Sequence, residues 1–197
     1  GDGHTNKGQK NEWATVHGDK MLVGSIGKEW VNRKGEIVHF NSQWMKMIDT
    51  EGRVSHHDWH RIFEEMRRVT GTSLPGYLVH EAVCFNAATN RWYFFPRRVS
   101  KEAYDETADE ERGSNVMISY DLDFKKPTVS TLGPLDPKRG FSSCKFVPYR
   151  EDEVVLHKTM EYKGSIASYI AVLSLDGKVL LPETYITDVK FEGVEFL

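Results

Sequence analysis

The chain has 197 residues, of which 39% are hydrophobic and 12% aromatic, enough apolar mass to bury a core of one domain or a little more. A net charge of −3 excludes the broad basic field that tracks nucleic acid or an anionic membrane surface, so an anionic ligand has to be met by a few local cations. No apolar run approaches the roughly 20 residues that a membrane-crossing helix needs, and GDGHTNKGQKNEW at the start lacks the charged-then-apolar pattern of a signal peptide.

In chain order, WATVHGDKMLVGSIG reads as strand, Gly18-Asp19 turn and strand. GEIVHF reads as a short third strand after the Asn32-Arg33-Lys34-Gly35 turn. DWHRIFEEMRRVTG then breaks the pattern. It places Trp59, Ile62, Phe63, Met66 and Val69 at helical spacing with Gly71 just beyond, which predicts one amphipathic helix packed outside the sheets. A second strand set follows as GYLVHEAVCF, a turn over 86–90, RWYFFPRR and NVMISYDL. The acidic stretch KEAYDETADEER between its members reads as a solvated loop. A third set runs GFSSCKFVPY, DEVVLHKTM and SIASYIAVLSLDGKVLL, with an Asp176-Gly177 hairpin signal. Short strands at regular spacing with few helices between them predict an all-β, antiparallel architecture. The two cysteines, Cys84 and Cys144, each lie in an apolar stretch and read as separate buried thiols, with no disulfide framework and no CxxC metal motif.

Each strand set opens on a small polar or acidic cluster. These are Asn11-Glu12-Trp13, His80-Glu81-Ala82, Ser142-Ser143 and, at the C-terminus, Phe191-Glu192-Gly193. They recur roughly 50 to 70 residues apart, compatible with four-stranded propeller blades plus loop insertions. In a propeller the innermost strand of each blade lines a central channel, where crowded carboxylates repel one another unless a cation joins them. Calcium takes six to eight oxygen ligands of mixed type in irregular geometry, and Glu12, Glu81, Ser142 and Glu192 supply oxygens of that kind. The alternative from spacing alone is that each glutamate ends a strand and faces solvent. His56, His57 and His60 form an HHxxH cluster without a nearby third zinc ligand.

Several stretches resemble the calcium-activated nucleotidases, the soluble apyrase family. They are NEW at 11–13, VGSIGKEW at 23–30, PGYLVHEAVCF at 75–85, RWYFFPRRVS at 91–100, DEERG at 109–113, GFSSCKFVP at 140–148, ASYIAVLSLDGKVLLPET at 167–184 and the terminal KFEGVEFL. The resemblance runs the length of the chain. It implies a five-bladed β-propeller with one Ca2+ in the central tunnel, of which residues 1–197 form the C-terminal part of a single domain, roughly the last three blades. On that expectation the N-terminal blades, with a further calcium ligand and the catalytic carboxylates, lie outside this sequence and would be needed to close the ring.

The same resemblance makes Glu12, Glu81, Ser142 and Glu192 metal ligands. It puts part of the nucleotide site at Lys28, Trp30 and Arg97, with Lys28 and Arg97 also acting in catalysis. Arg97 can hold a phosphate through two parallel hydrogen bonds, Lys28 offers a compact charge, and Trp30 a face for a base. Arg98, next along the strand, points to the other face. His80 reads either as a packed histidine or as a residue orienting its neighbour Glu81. The implied reaction is metal-assisted attack of water on the terminal phosphorus of UDP, GDP, ADP or ATP. The implied location is the secretory path, either secreted or in the endoplasmic reticulum or Golgi lumen. A homodimer remains open. Two other readings stay beside it: a non-catalytic, calcium-stabilised propeller module, and a calcium-dependent lactonase, which would leave two phosphate-gripping cations without a role.

Overall fold

The first strand signals appear where Trp13–His17 (β1) and Lys20–Gly24 (β2) pair across the Gly18-Asp19 turn, the chain reversing where Gly18 adopts a positive φ. The computed structural model describes residues 1–6, 9–32 and 34–197; Arg33 of the expected turn lies outside the described residues. Trp30–Val31 (β3) and Ile37–His39 (β4) form a separate two-stranded hairpin. The run GEIVHF is therefore not the third strand of the first sheet. That place is taken by Trp44–Ile48 (β5), followed by Val54–Asp58 (β6), in the order β1-β2-β5-β6. WMKMI is half-exposed with one lysine among apolar residues, and VSHHD is polar and mostly exposed, so neither pairs a buried apolar face with a polar one as strands are read.

The helix His60–Thr70 (α1) follows as expected, ending where Gly71 takes the left-handed conformation and its N–H returns to the carbonyls of Arg67 and Arg68. The second sheet is built from Tyr77–Asn86 (β7), Arg91–Ser100 (β8), Val116–Asp121 (β9) and Thr128–Thr131 (β10), with a single helical turn at Glu106–Asp109 (α2) inserted after β8. The third comprises Arg139–Phe146 (β11), Glu153–Tyr162 (β12), Ser165–Ser174 (β13) and Val179–Thr187 (β14). Each sheet is an antiparallel meander of consecutive strands, apart from the β3–β4 insertion in the first. The structure is thus all-β with few helices. Among the described residues no helix is long and apolar enough to cross a membrane.

The second sheet is covered on both faces, which is why β7 and β8 are almost continuously buried instead of alternating. Period-two alternation decides which side chain goes where. Val83, Phe85, Trp92 and Phe94 point toward the first sheet and α1, joining Trp13, Trp59, Phe63 and Met66 in one cluster. Ala82, Cys84, Tyr93 and Phe95 point toward the third sheet, joining Phe141, Cys144, Val154 and Leu156 in another. The first strands of the three sheets consequently lie side by side, β1 against β7 and β7 against β11. This packing brings together the two cysteines expected as separate buried thiols, with their sulfurs 2.6 Å apart.

Candidate functional site

Two of the expected ligands occupy the same kind of place in different sheets. In the β7–β8 ladder the register runs Val79↔Arg98, His80↔Pro96, Ala82↔Phe95, leaving Glu81 and Arg97 without cross-strand partners. In the β11–β12 ladder it runs Phe141↔Lys158 then Ser143↔His157, leaving out Ser142. A residue outside the ladder is released from the alternation of its strand, and bulges recur where a side chain has to be aimed. Glu81 and Ser142 thus both stand at irregularities in the first strand of their sheet.

Glu12 precedes β1 and is positioned by its N–H, which donates to the Gly24 carbonyl at 2.8 Å. Glu12, Glu81 and Glu192 line one cavity of about 470 Å³ together with Asn11, Ser143, Cys144, Lys145 and the tail residues Gly193, Val194 and Glu195. The tail reaches this position through hydrogen bonds from the Phe191 N–H to Ser168 Oγ and from the Val194 N–H to Ser143 Oγ, and through the Lys145–Glu195 ion pair. Ser142 lies behind the wall, its Oγ 2.8 Å from His157 Nδ1, while its neighbour Ser143 faces the cavity.

Each carboxylate already has a cation. Lys10 meets Glu12 at 2.9 Å, Arg97 meets Glu81 at 2.8 Å, and Lys190 meets Glu192 at 3.1 Å. Glu161, on β12, links the last two pairs by contacting both Arg97 and Lys190. The Lys10 ammonium is held above its ordinary pKa by Glu12 first, with Glu81 and Glu192 adding to the effect. Burial raises the pKa of Glu81, and the charge of Glu12 raises it further against the opposing pull of Arg97. Among the described residues no three His, Cys, Asp or Glu side chains gather closely enough to hold a metal ion as they stand. The donor chemistry nevertheless fits a hard divalent cation: three carboxylates on one cavity, one of which, Glu81, is disfavoured in its charged form by burial first and then by the like charge of Glu12.

The expected phosphate-gripping residues divide between two faces of the second sheet. Arg97 follows Tyr93 and Phe95 toward the third sheet, where its guanidinium is taken up by Glu81, Thr159 Oγ1 and Glu161. Gly140 makes this possible, since a Cβ there would fall 2.4 Å from the Arg97 carbonyl oxygen, so only glycine lets β11 come so close. Arg98 turns to the other face and pairs with Asp109 at 3.4 Å. Lys28 lies buried at the edge of that second group, its Nζ donating to the Glu29 carbonyl at 3.1 Å and sitting 4.4 Å from the centre of the Tyr104 ring. Burial lowers its pKa from the usual lysine value.

The GKEW turn is held from below. Gly27, at positive φ, rests where a Cβ would enter the Phe63 ring, and Glu29 forms a buried ion pair with Arg67 of α1. Trp30 emerges half-exposed on β3, its ring parallel to that of His39 at 6.1 Å between centres.

Several neighbours were not legible as site residues. Lys10, Glu161 and Lys190 complete the charge network, yet no motif or spacing in the sequence singles them out. Asp109, inside the supposed solvated loop, accepts a hydrogen bond from the Tyr77 hydroxyl at 2.5 Å and pairs with Arg98. His80 packs between Phe63 and Phe94 with neither ring nitrogen hydrogen-bonded, and burial drives its pKa down to about 3. The packed-histidine reading fits this position; no hydrogen bond joins it to Glu81. Of the HHxxH cluster, His57 bonds Ser55 Oγ at 2.9 Å, and His60 bonds Gln43 and pairs with Glu64.

The apyrase family profile matches residues 1–197. The chain belongs to the apyrase family. It is 43% identical over 198 residues to soluble calcium-activated nucleotidase 1 of Rattus norvegicus, covering all of this chain and 49% of that protein. It is also 43% identical over 199 residues to the apyrase of Cimex lectularius, covering 55% of it. Against the apyrase apy-1 of Caenorhabditis elegans the identity is 36% over 200 residues, covering 56%. The chain therefore spans about half the length of the curated relatives it matches.

Proposed function

We propose that this chain is the C-terminal part of a calcium-dependent nucleotidase that hydrolyses nucleoside di- or triphosphates and releases phosphate. The observation that carries this reading is the cavity where Glu12, Glu81 and Glu192 come from three separate segments to one wall. Family membership and the name of the rat relative, calcium-activated, support the choice of cation. The three meanders, with first strands side by side, are read as three blades of a five-bladed propeller whose axis passes the cavity.

On this reading Glu12, Glu81 and Glu192 would hold Ca2+ from the cavity wall, and Ser142 would join them by turning its hydroxyl away from His157. When bound, the ion supplies polarisation of phosphate oxygens and a place to orient water. Arg97 exchanges one of its carboxylate partners for a phosphate oxygen and stabilises charge as the phosphoryl group transfers. Lys28 adds a second positive charge once the segment carrying Tyr104 moves off it, a move that also relieves the burial that disfavours its charge. Trp30 offers its exposed face to the base.

The test is phosphate release from UDP, GDP, ADP and ATP by the full protein, with calcium, magnesium or chelator, beside the Glu81→Gln variant. Calcium-dependent release that the variant loses supports the reading. Release that is indifferent to calcium, or no release with calcium bound, refutes it; the second result identifies a calcium-stabilised binding module instead.

A further inference from the structure

Cys84 lies on β7 and Cys144 on β11, first strands of neighbouring sheets that share no ladder: β7 pairs with β8 and β11 with β12. Side-chain packing alone joins them there, within an apolar cluster that includes Phe95, Phe141 and Leu156. In that setting the two sulfurs face each other at 2.6 Å, about half an ångström beyond the roughly 2.05 Å of a disulfide bond. Each thiol is only 4% exposed, and burial together with the neighbouring sulfur holds the Cys144 thiol well above its ordinary pKa. Once the sheets have packed, both sulfurs are shielded from soluble oxidants.

We propose that Cys84 and Cys144 are a disulfide-forming pair, a covalent staple between the second and third sheets that closes as these sheets come together in an oxidising compartment. The inference is independent of whether the chain hydrolyses nucleotides. The oxidant is a disulfide of the exchange class, such as glutathione disulfide or a thiol–disulfide oxidoreductase. One cysteine thiolate attacks a sulfur of that disulfide, forming a mixed disulfide and expelling the first thiolate. The second cysteine then attacks the cysteine sulfur of the mixed disulfide, forming the Cys84–Cys144 bond and expelling the second thiolate. The two cysteines are oxidised by two electrons, the small disulfide is reduced to two thiols, and the two cysteine protons end on those thiols.

The staple has a structural consequence at the cavity. Glu81 precedes Cys84 on β7, and Ser142 and Ser143 precede Cys144 on β11, so the bond fixes the separation of two strands that carry cavity oxygens. Cys144 itself forms part of the cavity wall.

The test is made on the full protein secreted through an oxidising route and purified as a folded species. It is quenched in acid, unfolded without reductant, alkylated with N-ethylmaleimide, and measured by intact mass and peptide mapping. The expected result is that Cys84 and Cys144 both escape alkylation, and that mapping yields a peptide linking Cys84 to Cys144 with a mass two hydrogens below the sum of its two reduced peptides. Alkylation of both cysteines overturns the proposal, as does alkylation of one with a small thiol attached to the other.

Discussion

Glu81 and Arg97, the two residues left out of the β7–β8 ladder, are bound to each other at 2.8 Å. Each irregularity releases a charged side chain from a largely buried strand, and each charge answers the other. Glu81→Gln weakens one of three holds on Arg97, at a cost of about 1–3 kcal/mol because Thr159 and Glu161 remain. Under the nucleotidase reading it also weakens calcium binding at least about tenfold, roughly 1.4 kcal/mol. Glu161→Gln serves as the comparison, since it removes a partner of Arg97 but no proposed ligand. Calorimetric titration with calcium distinguishes them, and equal affinity in both variants would remove Glu81 from the ligand set.

Trp30 is half-exposed and packs into neither core cluster. Its replacement by alanine should leave stability within about 0.5 kcal/mol. A stacked base contributes about 1–3 kcal/mol, so KM for a nucleotide should rise roughly 5- to 150-fold, with kcat little changed. Steady-state kinetics on a nucleotide and on inorganic pyrophosphate separate base stacking from a general effect: an equal rise in KM for both would count against the stacking role.

How much of this was open to sequence reading follows the physical origin of each signal. α1 was legible because Phe63 and Met66 share a face and Gly71 ends it; β7 and β8 were legible because long apolar runs between turn residues have few other outcomes. β5 and β6 were not, since WMKMI is half-exposed, VSHHD is mostly exposed and polar, and neither carries a clean period. The motifs GKEW, FFPRR and GFSS name segments, but not the direction of their side chains. The burial of Lys28 depends on Tyr104, the engagement of Arg97 depends on Thr159 and Glu161, and the closeness of Gly140 to Arg97 depends on sheet packing. Contacts between distant strands leave no local trace. For the same reason the meeting of Cys84 and Cys144 could not be inferred from two apolar stretches some 60 residues apart.

Lys28 has a lowered pKa because of burial, so its charge costs stability at neutral pH. Lys28→Met should therefore raise stability by on the order of 1 kcal/mol while lowering turnover. The sign of the pH effect follows from proton counting. The unfolded chain keeps the lysine proton up to about pH 10.4, whereas the folded chain releases it earlier, so wild-type stability gains on the variant as pH rises through that interval. Urea denaturation of both proteins at about pH 8 and pH 10 gives the comparison. A stability difference that stays constant, or widens with pH, contradicts the burial argument.

The Glu29–Arg67 pair ties the GKEW turn to α1 from a position almost without solvent. Glu29 follows Lys28 directly, and its carbonyl accepts the Lys28 ammonium, so any shift of the pair is passed to the proposed substrate lysine. Glu29→Leu alone strands a buried guanidinium and should cost about 3–5 kcal/mol. The double replacement Glu29→Leu with Arg67→Met removes both charges from similar volume, and should recover most of that loss. Urea midpoints of the two single variants and the double give the coupling energy directly. If Glu29→Leu costs less than about 1 kcal/mol, or the double variant is as unstable as the sum of the singles, the turn is held by Gly27 against Phe63 rather than by the ion pair.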